Sequence, residues 1–142
     1  MKRFAFLAVA IVVGVAAVVG AQGQPGKKQA VFVSSSTAEF KQVITGAART
    51  ALWGDPDAGP HGALTRFVPG FDAGIHSHSN DLRIVVIKGA YVYKVDGKET
   101  RVGPGDYLFV PGGTVHWSGG DAKEGALFYQ EGLGKFDLNP AK

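Results

Sequence analysis

Two segments decide how this chain folds: residues 70–78 read GFDAGIHSH and residues 105–116 read GDYLFVPGGTVH. They contain three of the four histidines, His76, His78 and His116. Residues two apart in a strand point to the same face, so His76 and His78 can place both imidazoles in one space. An adjacent antiparallel strand would bring His116 to the same point. The two segments therefore predict one metal centre.

The sequence around these segments predicts strands rather than helices, because short β-branched and aromatic runs alternate with Gly, Pro and Asp turns. Asp96-Gly97 separates two such runs and indicates a hairpin, since a type I′ turn needs positive φ at both central residues. This pattern is typical of an antiparallel sandwich or barrel. Strands are also expected at residues 30–33 and, unless a helical turn forms there, at 39–44. His61, beside Pro60, is expected to be exposed in a loop.

The first 21 residues are expected to be a secretory signal. Lys2 and Arg3 precede an apolar run of 16 residues over 4–19, and Gly20 and Ala21 follow. This order predicts cleavage after Ala21. The run is shorter than the roughly 20 residues that span a bilayer, so an uncleaved membrane anchor is the second interpretation. The mature chain is then expected to be secreted or periplasmic, without stable membrane insertion.

Three segments are expected after the cleavage site: a flexible spacer over residues 22–29, one β-barrel domain over 30–134 and a loose C-terminal tail over 135–142. Removing two of the 15 basic side chains with the signal leaves 13 against 12 acidic ones. With this balance and no basic patch that also carries aromatics, nucleic-acid binding is not expected. The absence of cysteine excludes disulfides, a thiolate nucleophile and a Cys-rich zinc site.

The two segments resemble the paired motifs of the cupin superfamily, in their order and separation. The matching residues are Gly70, His76, His78 and Gly89 in the first motif and Gly105, Pro111, Gly113 and His116 in the second. The resemblance implies an all-β double-stranded β-helix, the RmlC-like jelly-roll barrel, with a metal in its mouth. Residues 52–56, LWGDP, also resemble secreted single-domain cupins of unknown function.

The sequence departs from the cupin pattern at the glutamate that serves as a metal ligand. That position falls at Leu82 or Arg83, and the nearest carboxylate is Asp81, one residue early. Only the three histidines are therefore carried over as metal ligands, with Asn80, Asp81 or water as open replacements for the glutamate. Three neutral imidazoles would leave the full +2 charge on an ion and favour an anionic ligand. Fe²⁺ and Zn²⁺ lead the candidates, and Mn, Ni, Co and Cu stay open.

A substrate pocket is expected beside this metal centre. Its candidate residues are Trp53, Arg83, Trp117 and Gln130. The alternative interpretation is that the tryptophans belong to the core and that Arg83 is a surface charge. Tyr91 and Tyr93 share one strand face and could contact a second subunit, which agrees with an expected homodimer.

These observations lead to one primary hypothesis and two alternatives. The primary hypothesis is a metal-dependent enzyme, oxidoreductase or dioxygenase-like, that acts on a small organic molecule. No evident general base accompanies the histidines, so a non-catalytic metal-dependent sensor or small-ligand binding protein remains open. The third interpretation is a structural barrel with unmetallated histidines. The sequence assigns no substrate and no catalytic residue.

Overall fold

The computed structural model describes residues 29–141, and these contain eleven β-strands and no helix. The strands are β1 (Lys41–Ile44), β2 (Ala47–Gly54), β3 (His61–Phe67), β4 (Asp72–Ser77), β5 (Leu82–Gly89), β6 (Tyr91–Val95), β7 (Lys98–Val102), β8 (Tyr107–Val110), β9 (His116–Gly120), β10 (Ala126–Gly132) and β11 (Asn139–Pro140). The chain divides into two units, Met1–Val31 and Phe32–Lys142, and all strands belong to the second.

The expected signal over residues 1–21 and nearly all of the spacer over 22–29 lie outside the described residues. Within residues 29–141, no helix is long and apolar enough to cross a membrane.

The strands form two antiparallel sheets. One has six strands in the order β1-β2-β3-β10-β5-β8, and the other has five in the order β11-β4-β9-β6-β7. β10 lies between β3 and β5, and β9 lies between β4 and β6, so strands distant in sequence are neighbours in space. This topology confirms the all-β jelly-roll barrel expected from the sequence.

The Asp96-Gly97 turn joins β6 and β7 as a two-residue hairpin. Val95 pairs with Lys98 across it, and Asp96 and Gly97 have φ of 50° and 74°. Positive φ at both central residues is what a type I′ turn requires. The hairpin prediction is therefore confirmed.

The core lies between the sheets and is built by alternation along the strands. On β5, Leu82, Ile84 and Val86 are buried, whereas Val85 and Ile87 face outward. Burial of one such side chain contributes about 1.5–3 kcal/mol. Tyr91 and Tyr93 are also buried, so they are not at a subunit interface as one interpretation of the sequence suggested.

The segment before β1 differs from the sequence prediction. Residues 30–33 form no strand, and Val31 and Phe32 are 80% and 91% exposed. The expected strand at 39–44 does form in part, as β1, which pairs with β2. A β-branched run becomes a strand only where a partner strand accepts its hydrogen bonds.

The C-terminal segment also differs from its sequence prediction of a loose tail over 135–142. β11 pairs with β4, and the Ala141 N–H donates to the Ile75 carbonyl. Phe136 packs its ring against that of His78, with centroids 5.2 Å apart. These contacts hold residues 135–141 beside the histidines. A single aromatic residue in a polar segment gives no periodic signal from which this docking could be predicted.

Candidate metal centre

Adjacent strands bring the three motif histidines together. His76 on β4 lies directly opposite His116 on β9 in the strand register, and His78 follows two residues after His76. Two residues along an extended chain return a side chain to the same face. All three are buried, with His76 1%, His78 5% and His116 2% exposed. The ligand atoms of this group lie within 4.8 Å of one another.

Backbone carbonyls fix the orientation of all three imidazoles. The Nδ1 atoms of His76, His78 and His116 are bonded to the carbonyls of Gly74, Asp137 and Thr114. A carbonyl oxygen only accepts, so each Nδ1 carries the proton and each Nε2 presents a lone pair. A carbonyl bonded to the other ring nitrogen is the usual support of a histidine that ligates a metal.

Burial keeps these histidines neutral at physiological pH. It lowers the pKa of His76 and of His116 below the usual 6.5, although a backbone hydrogen bond opposes the shift in each. The pKa of His78 falls to about 4, with burial as the largest cause and the charges of the other two imidazoles adding to it. Neutral imidazole is the form that binds a metal, so protons compete little at pH 7.

The residues present fit a divalent metal. The His116 Nε2 is buried without a hydrogen-bond partner in the described part of the chain, which is costly unless something binds there. Ligand atoms bonded at 2.0–2.1 Å to one tetrahedral ion lie about 3.4 Å apart, so the side chains would have to move closer together by up to about 1.4 Å around it. A buried three-histidine group of this kind could hold a metal.

Leu82 occupies the place where the cupin pattern has its glutamate. It is buried and lines a cavity with His76 and His78, whereas the side chain of Arg83 lies on the opposite face of β5. Asp81 accepts a hydrogen bond from the Gly112 N–H and is not one of the grouped ligands. The replacement at this position is thus an apolar side chain.

A cavity of about 490 Å³ adjoins the histidines. His76 and His78 form one side of it, and Arg49, Thr65 and Gln130 from the six-stranded sheet also line it. Its apolar lining includes Phe67, Phe71, Leu82, Phe136 and Leu138. Volumes of about 300–1,000 Å³ are typical of small-molecule sites.

The four residues predicted to line the substrate pocket do not lie together in the structure. Gln130 is buried in the cavity wall. Trp53 is 44% exposed and donates its indole N–H to the Tyr129 hydroxyl. Trp117 lies beside His116 at a shallower depression, where its indole N–H donates to Asp72. Arg83 stacks on Phe109. Of the four, only Gln130 lines the histidine cavity.

Sequence reasoning missed Arg49 and Phe136 and misplaced His61. Arg49 and Phe136 line the cavity, but neither belongs to a motif. His61 is fully buried rather than exposed, because β3 begins there and pairs with β2 and β10 on both sides. The adjacent Pro60 pointed to a loop, and only the long-range pairing reveals the strand.

Comparison with protein families matches residues 63–129, from β3 to β10, to the cupin domain. Both histidine segments fall inside this match. Residues 63–129 of the chain form a cupin domain. A search of the curated protein sequences found no match for this cupin.

Solved structures share the fold of this cupin at low sequence identity. KdgF from Halomonas sp. is 20% identical with a TM-score of 0.60, over 74% of this chain and 94% of that one. The polyketide cyclase RemF from Streptomyces resistomycificus is 17% identical with a TM-score of 0.67, over 80% of this chain and 87% of that one. A salicylate 1,2-dioxygenase mutant from Pseudoaminobacter salicylatoxidans is 19% identical with a TM-score of 0.52, over 68% of this chain but 31% of that one.

Proposed function

We propose that this cupin binds one divalent transition metal through His76, His78 and His116 and acts as a metalloenzyme on a small organic molecule. The observation that carries the proposal is the shared orientation of the three buried imidazoles. Each Nδ1 is held by a carbonyl and each Nε2 is left for a ligand. When bound, the ion would polarise an oxygen atom of the substrate or of its reaction partner. Fe²⁺ and Zn²⁺ are the first metals to test, followed by Mn, Co, Ni and Cu.

The chain's own residues would bind the substrate and exclude water. Leu82 and Phe136 line the cavity beside the histidines and make that wall apolar. An apolar wall that excludes water strengthens the electrostatic interactions between an ion and its ligand. Gln130 and Thr65, on the other sheet, would orient polar groups of the substrate.

Two of the similar solved structures are enzymes that bear on the class of reaction. They include a polyketide cyclase and a dioxygenase that acts on salicylate, and both are named for activity on aromatic or polyketide molecules. These likenesses support a small organic substrate for this cupin. An oxidoreductase of the dioxygenase type is the version to test first, because three histidines suit Fe²⁺.

A non-catalytic metal-dependent binding or sensor protein is the second candidate, because neither the two buried tyrosines nor Asp137 offers a free base beside the histidines. Burial raises the pKa of Tyr91 to about 12 and also raises that of Tyr93, so neither phenol is a base near neutral pH. The Asp137 carboxylate lines the cavity, but both of its oxygens accept hydrogen bonds from Ser79. A barrel without metal is the third candidate.

Metal analysis of the purified protein tests the proposal. After anaerobic purification and loading with Fe²⁺ or Zn²⁺, we expect about one ion per chain. His76→Gln should lose it, whereas His61→Gln, a change of the histidine outside the group, should retain it. A metal ratio near zero in the unmodified protein, unchanged by His76→Gln, would contradict both metal-dependent candidates. Oxygen uptake by the iron-loaded protein with phenols, diketones and thiols then separates a dioxygenase from a binding protein.

We also propose that the protein acts outside the cytoplasm. The support is the basic, apolar and small-residue order of the first 21 residues. N-terminal sequencing of the exported protein should begin at Gln22. A protein that keeps Met1 and stays with the membrane fraction would instead support the anchor interpretation.

The outer face of the six-stranded sheet supports a homodimer. Val85, Ile87, Tyr107 and Phe109 are exposed there on β5 and β8, and β8 is the edge strand. Contiguous exposed apolar side chains mark association surfaces. We propose that a second copy of the chain covers them. Light scattering should give a dimer mass, and Tyr107→Asp should shift it to the monomer; a monomer before the change would contradict the proposal.

A further inference from the structure

A second set of polar groups lines the cavity from the six-stranded sheet. Arg49, Thr65 and Gln130 belong to β2, β3 and β10, which are adjacent strands. Arg49 pairs directly with Thr65, and Gln130 pairs with Ala63, two residues away from Thr65. Side chains two apart along a strand share a face, so the three residues form one diagonal line. We call Arg49, Thr65 and Gln130 the polar row.

Two members of the polar row are buried without a partner. Thr65 and Gln130 are each 5% exposed. Among the described residues, neither the Thr65 Oγ1 nor the Gln130 Nε2 makes a hydrogen bond. Buried polar atoms are nearly always paired, and an unpaired one at a cavity wall indicates that something else binds it. Both atoms can donate a hydrogen bond into the cavity.

Arg49 adds a positive charge that is largely removed from solvent. Its side chain is 9% exposed, while its partner Asp57 is 82% exposed and 3.3 Å away. That contact is the one side-chain hydrogen bond of the guanidinium within residues 29–141. A guanidinium has five N–H donors in a planar fork suited to carboxylates. An exposed partner at this distance holds it weakly, so donors remain for a ligand.

The polar row lies close to the histidines. The Arg49 Cζ is 5.1 Å from the centre of the Phe136 ring, and that ring is 5.2 Å from the ring of His78. The ring of Phe136 therefore lies between the Arg49 guanidinium and His78, one of the three candidate metal ligands. Phe67 and Phe71 line the same cavity and would pack against an aromatic or alkyl body.

The acidic residues at the cavity limit the charge of a ligand. Asp57 and Asp137 both line it. The Asp137 carboxylate accepts hydrogen bonds from the backbone N–H and the hydroxyl of Ser79. One guanidinium beside two carboxylates fits a monoanion better than a doubly charged phosphate.

We propose that the polar row binds the carboxylate of a small aromatic organic acid, whose body lies among the phenylalanines beside the histidines. This inference rests on the proposed function in taking the cavity as the substrate site. The carboxylate contact itself does not require the metal, so it can be measured with and without one.

Calorimetric titration with three probes that share a phenyl ring tests the proposal. The purified protein, metal-free or metal-loaded, is titrated with benzoate, benzamide and phenyl phosphate. A charge-assisted hydrogen bond predicts that benzoate binds about tenfold or more tightly than benzamide. Equal binding of benzoate and benzamide, tighter binding of phenyl phosphate, or binding of none of them would overturn the proposal.

Substitutions in the polar row test whether Arg49 binds the carboxylate of benzoate. Arg49→Gln should abolish the preference for benzoate over benzamide, and Arg49→Lys should keep part of it. Arg66→Gln is the matched control, because it removes the same charge from the exposed outer face of β3. If Arg49→Gln does not fold by circular dichroism, Gln130→Leu and Thr65→Val replace it, and each should weaken benzoate binding. Unchanged benzoate binding in these variants would refute the proposal.

Metal content separates this inference from the proposed function. A metal-free protein that cannot be loaded, yet prefers benzoate through Arg49, would sustain the polar row and remove the metalloenzyme. A protein that binds one metal through His76 but shows no preference for benzoate would sustain the metal site and refute carboxylate binding by the polar row.

Discussion

His76 and His116 face each other across the β4–β9 pairing, and their ring centroids are 4.4 Å apart. Two imidazolium charges at that distance in a buried site would repel strongly, so the arrangement requires neutral rings. Neutral imidazole is also the form in which a histidine can bind a metal.

Metal binding should raise the thermal stability of the protein. A ligand that binds only the folded state at 100 times its Kd stabilises it by about 2.7 kcal/mol. For a domain of this size, that corresponds to a rise in Tm of roughly 10 °C. Calorimetry with and without Zn²⁺ measures the shift. His116→Ala should remove it and His61→Gln should not; a shift of the same size in His116→Ala would show that the ion binds elsewhere.

The metal-free protein should lose stability as the pH falls from about 6.5 to about 4. The folded-state pKa of His78 is about 4 and the unfolded value is 6.5, so the unfolded chain binds more protons in this window. The free energy of unfolding then rises with pH, and the stability present above pH 6.5 is lost as the pH approaches 4. The loss from His78 is up to about 3 kcal/mol.

Urea unfolding at several pH values measures this dependence. His78→Gln, which cannot be protonated, should flatten the curve between pH 6.5 and 4. An equally steep curve in that variant would assign the dependence to other groups.

Leu82→Glu should create a fourth metal ligand. Leu82 lines the cavity beside His76 and His78, where a carboxylate could reach an ion. Without metal, a buried carboxylate is costly, so the variant should be less stable than the unmodified protein. With Mn²⁺, which favours oxygen ligands, affinity should rise about tenfold or more. Leu82→Gln is the neutral control; an equal gain in both variants would exclude coordination by the carboxylate.

The sequence predicted those parts of the site that local spacing determines. His76 and His78 are two residues apart, and a turn-rich pattern around His116 marks a second strand, so their convergence follows from strand geometry. Arg49, Thr65 and Gln130 meet only because β2, β3 and β10 are adjacent, and that order pairs Ala63 with Gln130, which lies 67 residues further along the chain. His61 shows the same limit, since its burial depends on the pairing of β3 with β2 and β10 rather than on the adjacent Pro60.

The C-terminal segment supports His78 from outside the two cupin motifs. The Asp137 carbonyl accepts the His78 Nδ1–H, and the Asp137 carboxylate holds the Ser79 backbone N–H and hydroxyl. Asp137→Ala would remove the bonds to Ser79 and loosen the carbonyl that orients His78. Loss of such support typically weakens metal affinity 10- to 100-fold.

A competition assay with a coloured chelator measures that affinity. Asp106→Ala is the control, because the Asp106 carboxylate accepts a hydrogen bond from a backbone N–H, that of Gly103, at the turn between β7 and β8. We expect Asp106→Ala to leave the metal affinity within about twofold of the unmodified protein, since it lies outside the grouped ligands and the cavity lining. Equal losses in both variants would attribute the effect of Asp137→Ala to general destabilisation. A loss confined to Asp137→Ala would identify the docked C-terminal segment as part of the metal centre.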